Sequence, residues 1–524
     1  MSAPAQAAPH VLAIDLGTSG LKLALVTTEG RIVGRAVEPF AIHVVPGGGA
    51  EQDPDAWWGG VVRATRRVLH ETGVDPRSVV GAACSSQWSG TVAVDREGRP
   101  LCRAIIWMDS RGAPQIARAV RGFPMVEGYG LRKLVAWIRK TGGAPGHSGK
   151  DPIAHILFLR DEHPEVYERT WMFLEPRDWI NYRLSGRMAT TADAITLHWV
   201  ADSRDIGAVR YDAGLLRMSG LDRDRLPDIE PAASVLGPLT PAAAGELGLR
   251  QSVQVVSGAP DTMAAAIGAG AVRPYAAHLC IGTSSWLSCH VPNKKTDLFH
   301  NMASLPSAVP GRYLLSNEQE SAGVCLTLLR ERILTAPGAE PPSYDELFAA
   351  ASSVPAGSGG LIFTPWLNGE RTPVDDRSVR GGFANQSLAT SRAHLVRAVL
   401  EGVAFNSRWL QVYVERFVKR PLDAITMVGG GARSDLWCRI HADVLGHPIR
   451  QAADPVMANA RGAALQASVA LGHLTWDDVP DRVPVAQTFD PDPANAAVYE
   501  PMFAEFVNLY RSNRKIHARL NAGR

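Results

Sequence analysis

The chain opens with an apolar run, HVLAIDLG at 10–17, that breaks at a glycine. LKLALVTT and then RIVGRAVEPF follow, each separated from the last by turn residues. Three such segments predict a three-stranded antiparallel start. DPDAWWGGVVRATRRVLHETG then changes period, with apolar positions recurring every three to four residues. That spacing predicts a helix with Asp53 or Asp55 at its N-cap. VVGAACSS reads as a strand, and TVAVDREGRPLCRAIIW reads as a hairpin returning toward Trp107. Helical patterns dominate from 112 to 200, including HSGKDPIAHILFLRDEHP and EPRDWINYRLSG.

A second series begins near residue 250. The run VQVVSG leads into a helix that opens at Asp261 and continues through Gly270. Then come a strand AAHLCIG, a turn at Thr283 and Ser284, strands WLSCH and YLLSNEQ, and an Ala/Leu helix from about 321. The Pro-, Gly- and Ser-rich stretch 335–385 predicts no regular element. DAITMVGGGARSDLWCRIHADVLGHPI reads as strand, Gly loop, helix, strand, and NARGAALQASVALGH as a further helix. The halves repeat one theme, a hairpin turning on Gly-Thr-Ser beside helices. A chain of 524 residues exceeds one ordinary core. The expected units are 10–252, 253–485 and a C-terminal helical tail at 486–524.

Composition narrows the partners. Apolar residues make up 46%, charged residues 20%, and the formal charge is +2. No Lys/Arg block is present to bind a polyphosphate backbone, so nucleic acid is not an expected partner. The six cysteines, at 84, 102, 280, 289, 325 and 438, have no metal spacing and read as thiols in a reducing compartment. The 15 histidines show no metal spacing either, and His441 and His447 read as ordinary surface or packing residues. MSAPAQAAPH lacks the basic and apolar regions of a secretory signal, and no run approaches the roughly 18 apolar residues of a membrane span. A soluble cytoplasmic protein is expected. DLFHNMASLPSAVPGRYLL is either a homodimer surface or a hairpin within one chain.

Two segments carry candidate chemistry. In DLGTSGLK, Gly17 and Gly20 allow close approach by a ligand, Thr18 and Ser19 offer hydroxyls and N–H groups, and Lys22 adds charge. Such a nest can hold phosphate oxygens, with Asp15 placed to hold hydrated Mg²⁺. A tight hairpin turn has the same composition. The second Gly-Thr-Ser, at 282–284, favours phosphate. Asp261 is either the N-cap of an Ala-rich helix or a general base for a sugar hydroxyl attacking a γ-phosphorus. VGGGARSDLW at 428–437 sets three glycines between a strand and a helix, where the adenosine end of ATP could lie or the chain could merely turn. It matches neither GxGxxG nor GxxxxGK[ST].

Taken in order, these and further segments resemble the FGGY family of carbohydrate kinases, nearest in pattern to its xylulokinases. The matching elements are DLGTSGLK (15–22), EQDPDAWW (51–58), SSQWSG (85–90), IIWMDSRG (105–112), DWINYRLSG (178–186), SGAPDTMAAAIGAG (257–270), IGTSS (281–285), WLNGERTPVDD (366–376), GGGARSDLW (429–437) and ARGAALQA (460–467). The resemblance implies an α/β, two-lobed actin-like ATPase (ribonuclease H-like) fold with a central cleft. Sugar would lie mainly on the N-terminal lobe and ATP mainly on the C-terminal lobe. It makes Asp261 the catalytic base, and Asp15 with Asp261 the Mg²⁺-associated carboxylates. Thr18, Gly282 and Thr283 match the phosphate turns, joined by Ser19 and Lys22 from the nest. Gly430, Gly431 and Ala432 match the adenosine motif.

The acceptor site departs from the pattern. Xylulokinases have Gln-Met-His-Gly where this chain reads Gln87-Trp88-Ser89-Gly90. Losing the His removes a polar contact, while tryptophan offers an apolar face and one N–H. Trp107 and Asp109, with Arg111, are further cleft candidates; the alternative is a strand end with a structural Asp–Arg pair. Glu51 and Gln52 carry the same ambiguity, and Glu370 and Arg371 either touch substrate or brace the second lobe. Asn459 carries no reading. The expected reaction is ATP- and Mg²⁺-dependent phosphorylation of a small ketose at its terminal hydroxyl, with D-xylulose leading. Ribulose, erythritol or another pentitol are the alternatives, and a non-catalytic nucleotide-binding regulator is the third.

Overall fold

The computed structural model describes residues 8–522. The first seven residues, on which most of the signal-peptide expectation rests, and the last two of the expected tail lie outside that range.

The three-stranded start forms as expected. β1 (His10–Leu16), β2 (Gly20–Thr27) and β3 (Ile32–Pro39) pair antiparallel in sequence order. β4 (Val79–Ser86) then joins β1 in parallel. β6 (Gln254–Pro260) joins β4 in parallel, and β5 (Val235–Pro238) closes the edge antiparallel to β6. The strand directly after the expected boundary at 252/253 therefore belongs to the first sheet.

The second sheet repeats this plan. β7 (Ala277–Ile281) and β8 (Ser285–Val291) pair antiparallel, followed outward by β10 (Tyr313–Ser316) and β9 (Met302–Pro306). On the other side β11 (Ile425–Val428) and β12 (Ile449–Ala452) are parallel, and β13 (Val485–Phe489) closes the edge antiparallel. Strand directions match position by position: β3-β2-β1-β4-β6-β5 against β10-β8-β7-β11-β12-β13. Each lobe is thus a mixed sheet flanked by helices, the two-lobed α/β architecture the resemblance implied.

Helices fix how the lobes meet. α1 (Pro54–Thr72) is capped by Asp53, whose side chain accepts the Asp55 N–H, and it buries Trp57, Val61, Ala64 and Val68 in the first core. α2 (Asp261–Gly268) leaves the first sheet from β6 yet packs Ala265 against Cys280, Trp286, Val428 and Ala452 of the second. α3 (Asp435–Leu445) stays with its own lobe, burying Trp437 and Ile440. α4 (Ala458–Ala470) makes the reverse crossing to α2. It leaves the second sheet and buries Ala460, Ala463, Ala464 and Ala467 against Val11, Ala13, Val26 and Ala83 of the first. Small residues at these positions let α2 and α4 cross in contact. A Cβ on Gly462 would sit 1.9 Å from the Ala264 carbonyl oxygen, and one on Gly268 would sit 1.8 Å from that of Ala458.

Three local expectations change. Residues 335–385 contain a helix, Tyr344–Ser352, whose Ser343–Glu346 capping box was visible as Ser-x-x-Glu. TVAVDREGRPLCRAIIW does fold back on itself, with Thr91 bridging Ile105 and Val94 bridging Pro100, but each arm also takes an outer partner: Val92–Val94 pairs with Met172–Leu174, and Ala104–Ile105 with Gly49–Gln52. The C-terminal tail is no appendage, because α5 (Pro493–Leu520) buries Tyr499, Phe506 and Tyr510 beside Trp366, Phe405 and Trp409 in the second core. DLFHNMASLPSAVPGRYLL contains the β9–β10 pair, the hairpin alternative, with Phe299 exposed beside it. His441 is a core residue and His447 meets Glu415 at 3.1 Å. All six cysteines are free thiols, and no described helix is long and apolar enough to cross a membrane.

Candidate active site

Ligands of open α/β sheets collect at the carboxyl ends of parallel strands. Here β1, β4 and β6 run side by side with Asp15, Ser85 and Ala259 in register. Asp15, the Gln87 loop and Asp261 therefore emerge along one edge. The carboxyl ends of β7 and β11 carry Gly282–Thr283 and Gly429–Gly431 in the same way.

Asp15 is 1% exposed and needs partners. Lys22, opposite it in the β1–β2 register, places Nζ 3.1 Å from Oδ2, and Asn459 of α4 donates from Nδ2 to Oδ1 at 3.3 Å. Asp261 is half-buried. The N-cap position of α2 is Pro260 and makes no side-chain capping bond; Asp261 instead accepts only the adjacent Thr262 N–H, at 2.8 Å. Its carboxylate is therefore free to serve as more than a cap. Burial, the neighbouring Asp15 carboxylate and Glu318 push it up to about 7, against the opposing pull of the Thr262 N–H and Lys22. A carboxyl poised near neutrality suits a general base.

The expected acceptor residues Gln87 and Trp107 belong to a closed network. Trp107 Nε1 donates to the Thr18 hydroxyl at 2.8 Å, and that hydroxyl donates to Gln87 Oε1 at 3.1 Å. Gln87 Nε2 donates to Gln52 Oε1, and Gln52 Nε2 donates to the Thr18 carbonyl, both at 2.7 Å. Thr18 is thus tied into the Gln87–Trp107 network, while Ser19 beside it is exposed. Gln52, left ambiguous by its sequence context, is part of this network.

The other expected acceptor residues hold partners within the chain. Trp88 donates its indole N–H to the Ala194 carbonyl at 3.0 Å. Ser89, at φ 67°, donates its hydroxyl to the Lys150 carbonyl at 2.7 Å, and the Gly90 N–H meets Glu175 at 3.1 Å. Asp109 is 1% exposed, accepting from Ala50 N at 3.0 Å and from Arg111 N and Nε at 2.9 Å. It follows the structural Asp–Arg alternative, with Arg111 reaching on to Glu51 at 2.7 Å.

On the second lobe, the Gly282–Thr283 turn is braced from behind. The Ala322 N–H donates to the Thr283 carbonyl at 2.9 Å and that of Gly323 to the Gly282 carbonyl at 2.8 Å. Thr283 itself is exposed. Gly429 and Gly431 lie against Ile281, where added Cβ atoms would come within 2.6 Å and 2.4 Å; a Cβ on Gly430 would meet nothing within 4 Å. Gly430 thus presents open backbone beside the strand end that carries the Gly282–Thr283 turn. Ala432 is buried, its carbonyl taken by Gln451 Nε2 at 2.8 Å, so it supports the loop from inside.

The donor set around Asp261 suits a hard cation. Asp15, Asp261 and Glu318 are all carboxylates, and the mutual repulsion of Asp15 and Asp261 is what a divalent cation relieves. Among the described residues no three His, Cys, Asp or Glu side chains form a complete metal cage. Mg²⁺ needs none, since it keeps several waters on one or two carboxylates.

Known proteins place this arrangement. The N-terminal domain of the FGGY family of carbohydrate kinases matches residues 10–268, and the family's C-terminal domain matches residues 277–471. A xylulose kinase from Staphylococcus epidermidis is 28% identical over 97% of this chain and 98% of its own. A gluconokinase from Bacillus licheniformis is 23% identical over 96% of both chains. The crystal structure of xylulose kinase from Rhodospirillum rubrum superposes with a TM-score of 0.82 at 28% identity, covering 97% of this chain and 100% of that one. The chain belongs to the FGGY family of carbohydrate kinases, ATP-dependent enzymes that transfer a phosphoryl group to a sugar.

Proposed function

We propose that this kinase phosphorylates D-xylulose at its terminal hydroxyl, giving D-xylulose 5-phosphate. The observation that carries the catalytic part is Asp261: a half-buried carboxyl raised to about 7, directly after the strand residue Pro260 that lies in register with Ser86, and neighboured by Asp15 of the first lobe and Glu318 of the second. Full-length likeness to a xylulose kinase supports the choice of sugar.

The acceptor lies against Trp107 and Gln87 with its terminal hydroxyl donating to the Asp261 carboxylate. As the oxygen attacks the γ-phosphorus, its proton passes to Asp261. The new O–P bond forms as the bond to the β-phosphate oxygen breaks, and ADP leaves. N–H groups of the Gly17–Gly20 and Gly282–Thr283 turns stabilise charge on the transferring phosphoryl group. Asp15 and Asp261 would hold Mg²⁺, which when bound neutralises phosphate charge. Apolar surface from Trp88 and Trp107 and approach of the lobes exclude water, limiting wasteful hydrolysis. The free thiols and the absence of a basic surface block suit work in the cytoplasm on a small molecule.

A second reading rests on the 87–90 loop. With the Trp88 N–H and Ser89 hydroxyl both occupied, the loop offers the acceptor no side-chain donor where xylulokinases carry His. A hydroxyl-reading site changed in this way can prefer another ketopentose, erythritol or a pentitol. The deciding experiment is Mg²⁺-ATP-dependent ADP release across D- and L-ketopentoses, pentitols, erythritol and glycerol, with product mass and an Asp261→Ala control. A dominant D-xylulose signal lost in the Ala variant supports the first reading. A dominant signal elsewhere moves the specificity, and no turnover with nucleotide still bound puts the regulator first.

A further inference from the structure

Arg371 is held more firmly than a surface arginine needs. Its own N–H donates to Oε1 of Glu370 at 2.8 Å, which also accepts the Glu320 N–H at 2.9 Å. Asn406 secures the other Glu370 oxygen at 2.6 Å, and Glu370 is 2% exposed, so the anchor lies in the interior. The guanidinium then forks onto two carboxylates, Nη1 to Glu318 and Nε to Glu320. A planar fork bound at both prongs has little freedom left.

So fixed, the guanidinium faces the other lobe. Its carbon lies 5.8 Å from the centroid of the Trp107 ring, within cation–π reach, and Lys150 Nζ lies 5.8 Å from the same ring. The contact completes a path of side chains across the cleft. Ser284, beside Thr283, donates to Glu318 at 3.0 Å; Glu318 pairs with Arg371; Arg371 meets Trp107; Trp107 donates to Thr18; and Thr18 donates to Gln87. One end is the phosphate turn of the second lobe, and the other is the phosphate turn and acceptor loop of the first. Within this path only the Arg371–Trp107 step joins one lobe to the other.

We propose that Arg371 is the positioning residue that couples sugar binding to nucleotide binding. A sugar packed against Trp107 and Gln87 favours the arrangement in which Arg371 meets the ring. That arrangement keeps Glu318 on Ser284 and so orders the Gly282–Thr283 turn for the γ-phosphate. Arg371 touches no reacting atom and moves no proton. The inference rests on the site assignment above, and not on which sugar is the acceptor. Linkage requires reciprocity: the sugar tightens the nucleotide by the factor with which the nucleotide tightens the sugar.

The test is calorimetric titration of the full-length enzyme with the Mg²⁺ complex of a non-hydrolysable ATP analogue, with and without saturating sugar. The sugar is D-xylulose, or the one the activity panel selects. In the unaltered enzyme the ratio of the two dissociation constants is expected to be roughly 5-fold or more. In Arg371→Met it falls toward one, and in Arg371→Lys, which keeps the charge but loses the fork, it is intermediate. Because Arg371→Met strips Glu318 and Glu320 of their cationic partner and can unfold the loop, Trp107→Leu cuts the same step from the other lobe with both carboxylates still paired to the guanidinium. It too should bring the ratio toward one at saturating sugar. A folded Arg371→Met or Trp107→Leu with the original ratio overturns the proposal, as does an unaltered enzyme with a ratio of one. Failure of D-xylulose alone to act overturns only the acceptor assignment, since the ratio measured with the sugar that is turned over still decides on Arg371.

Discussion

Asn459 reaches Asp15 across 444 residues of chain, its Nδ2 donating at 3.3 Å to a carboxylate that Lys22 holds from the other side at 3.1 Å. The contact exists because α4 leaves the second lobe and docks its alanine face on the first sheet. Asn459→Ala leaves Asp15 with one partner in a setting that is 1% exposed. Hydrogen bonds to charged groups contribute about 1.5–3 kcal/mol, and this long one belongs at the low end. A fall of about tenfold in kcat/KM is expected, with a higher Mg²⁺ concentration needed for half-maximal rate. Initial rates across a Mg²⁺ series check it; an unchanged Mg²⁺ dependence would mean that Asn459 does not orient Asp15.

The Asp261 carboxyl, raised to about 7 by burial and by Asp15, sets the pH profile. The base form accumulates as pH rises, so kcat/KM should climb about tenfold per unit below 7 and level off above it. Lys22 opposes the rise, so Lys22→Met should move this acid limb to higher pH. Rates from pH 5 to 9 at sub-saturating sugar measure it. A limb at the ordinary carboxylate position near 4 would remove Asp261 from the base role.

Asp261→Asn separates function from stability. Loss of a general base lowers kcat by about 10²–10⁴-fold. Between the ordinary aspartate value of 3.8 and about 7, the folded chain binds more protons at this site than the unfolded chain does. Stability therefore falls as pH rises through that window, and the destabilisation is fully present above 7. Asn removes it, so the variant should melt higher than the parent at pH 8 and alike at pH 4. Calorimetric scans at the two pH values decide, and an equal or lower melting point at pH 8 would contradict the buried-charge account.

Much of the first lobe was legible in the sequence because its signals are local. The DLGTSG turn, the apolar strands around it and the Asp-Pro-Asp start of α1 each announce themselves within a few residues. Asp261 was legible as a choice between cap and base, and only the geometry shows that the cap position is taken by Pro260. The intrachain partners of Asp109, Ser89 and Trp88 were not legible, because sequence identifies polar groups and not what they bond to. The carbonyls of Lys150 and Ala194 that occupy Ser89 and Trp88 lie 61 and 106 residues away. β6 looked like the start of the second lobe because an apolar strand carries no mark of the sheet it will join. Asn459 gave no sign at all and Arg371 only a choice between touching substrate and bracing its own lobe, since their cross-lobe contacts arise only where the lobes meet.

The crossing of α2 and α4 gives the last prediction. A Cβ added at Gly462 would lie 1.9 Å from the Ala264 carbonyl oxygen and 3.0 Å from the Gly268 nitrogen, backbone atoms that cannot move aside alone. Gly462→Ala must therefore spread the helices, and overpacking of this kind costs about 1–3 kcal/mol or more. Because α2 begins at Asp261 and α4 carries Asn459, the spreading also shifts two residues of the site. Both melting temperature and kcat should fall. Gly245→Ala is the control: Gly245 lies in the helix Pro241–Leu247, and its added Cβ would meet nothing within 4 Å. Relief of glycine's chain entropy should stabilise that variant by about 0.5–1 kcal/mol with kcat unchanged. Scanning calorimetry and steady-state rates on both variants test the pair. If Gly462→Ala melts and turns over like the parent, the lobes are not clamped at this crossing.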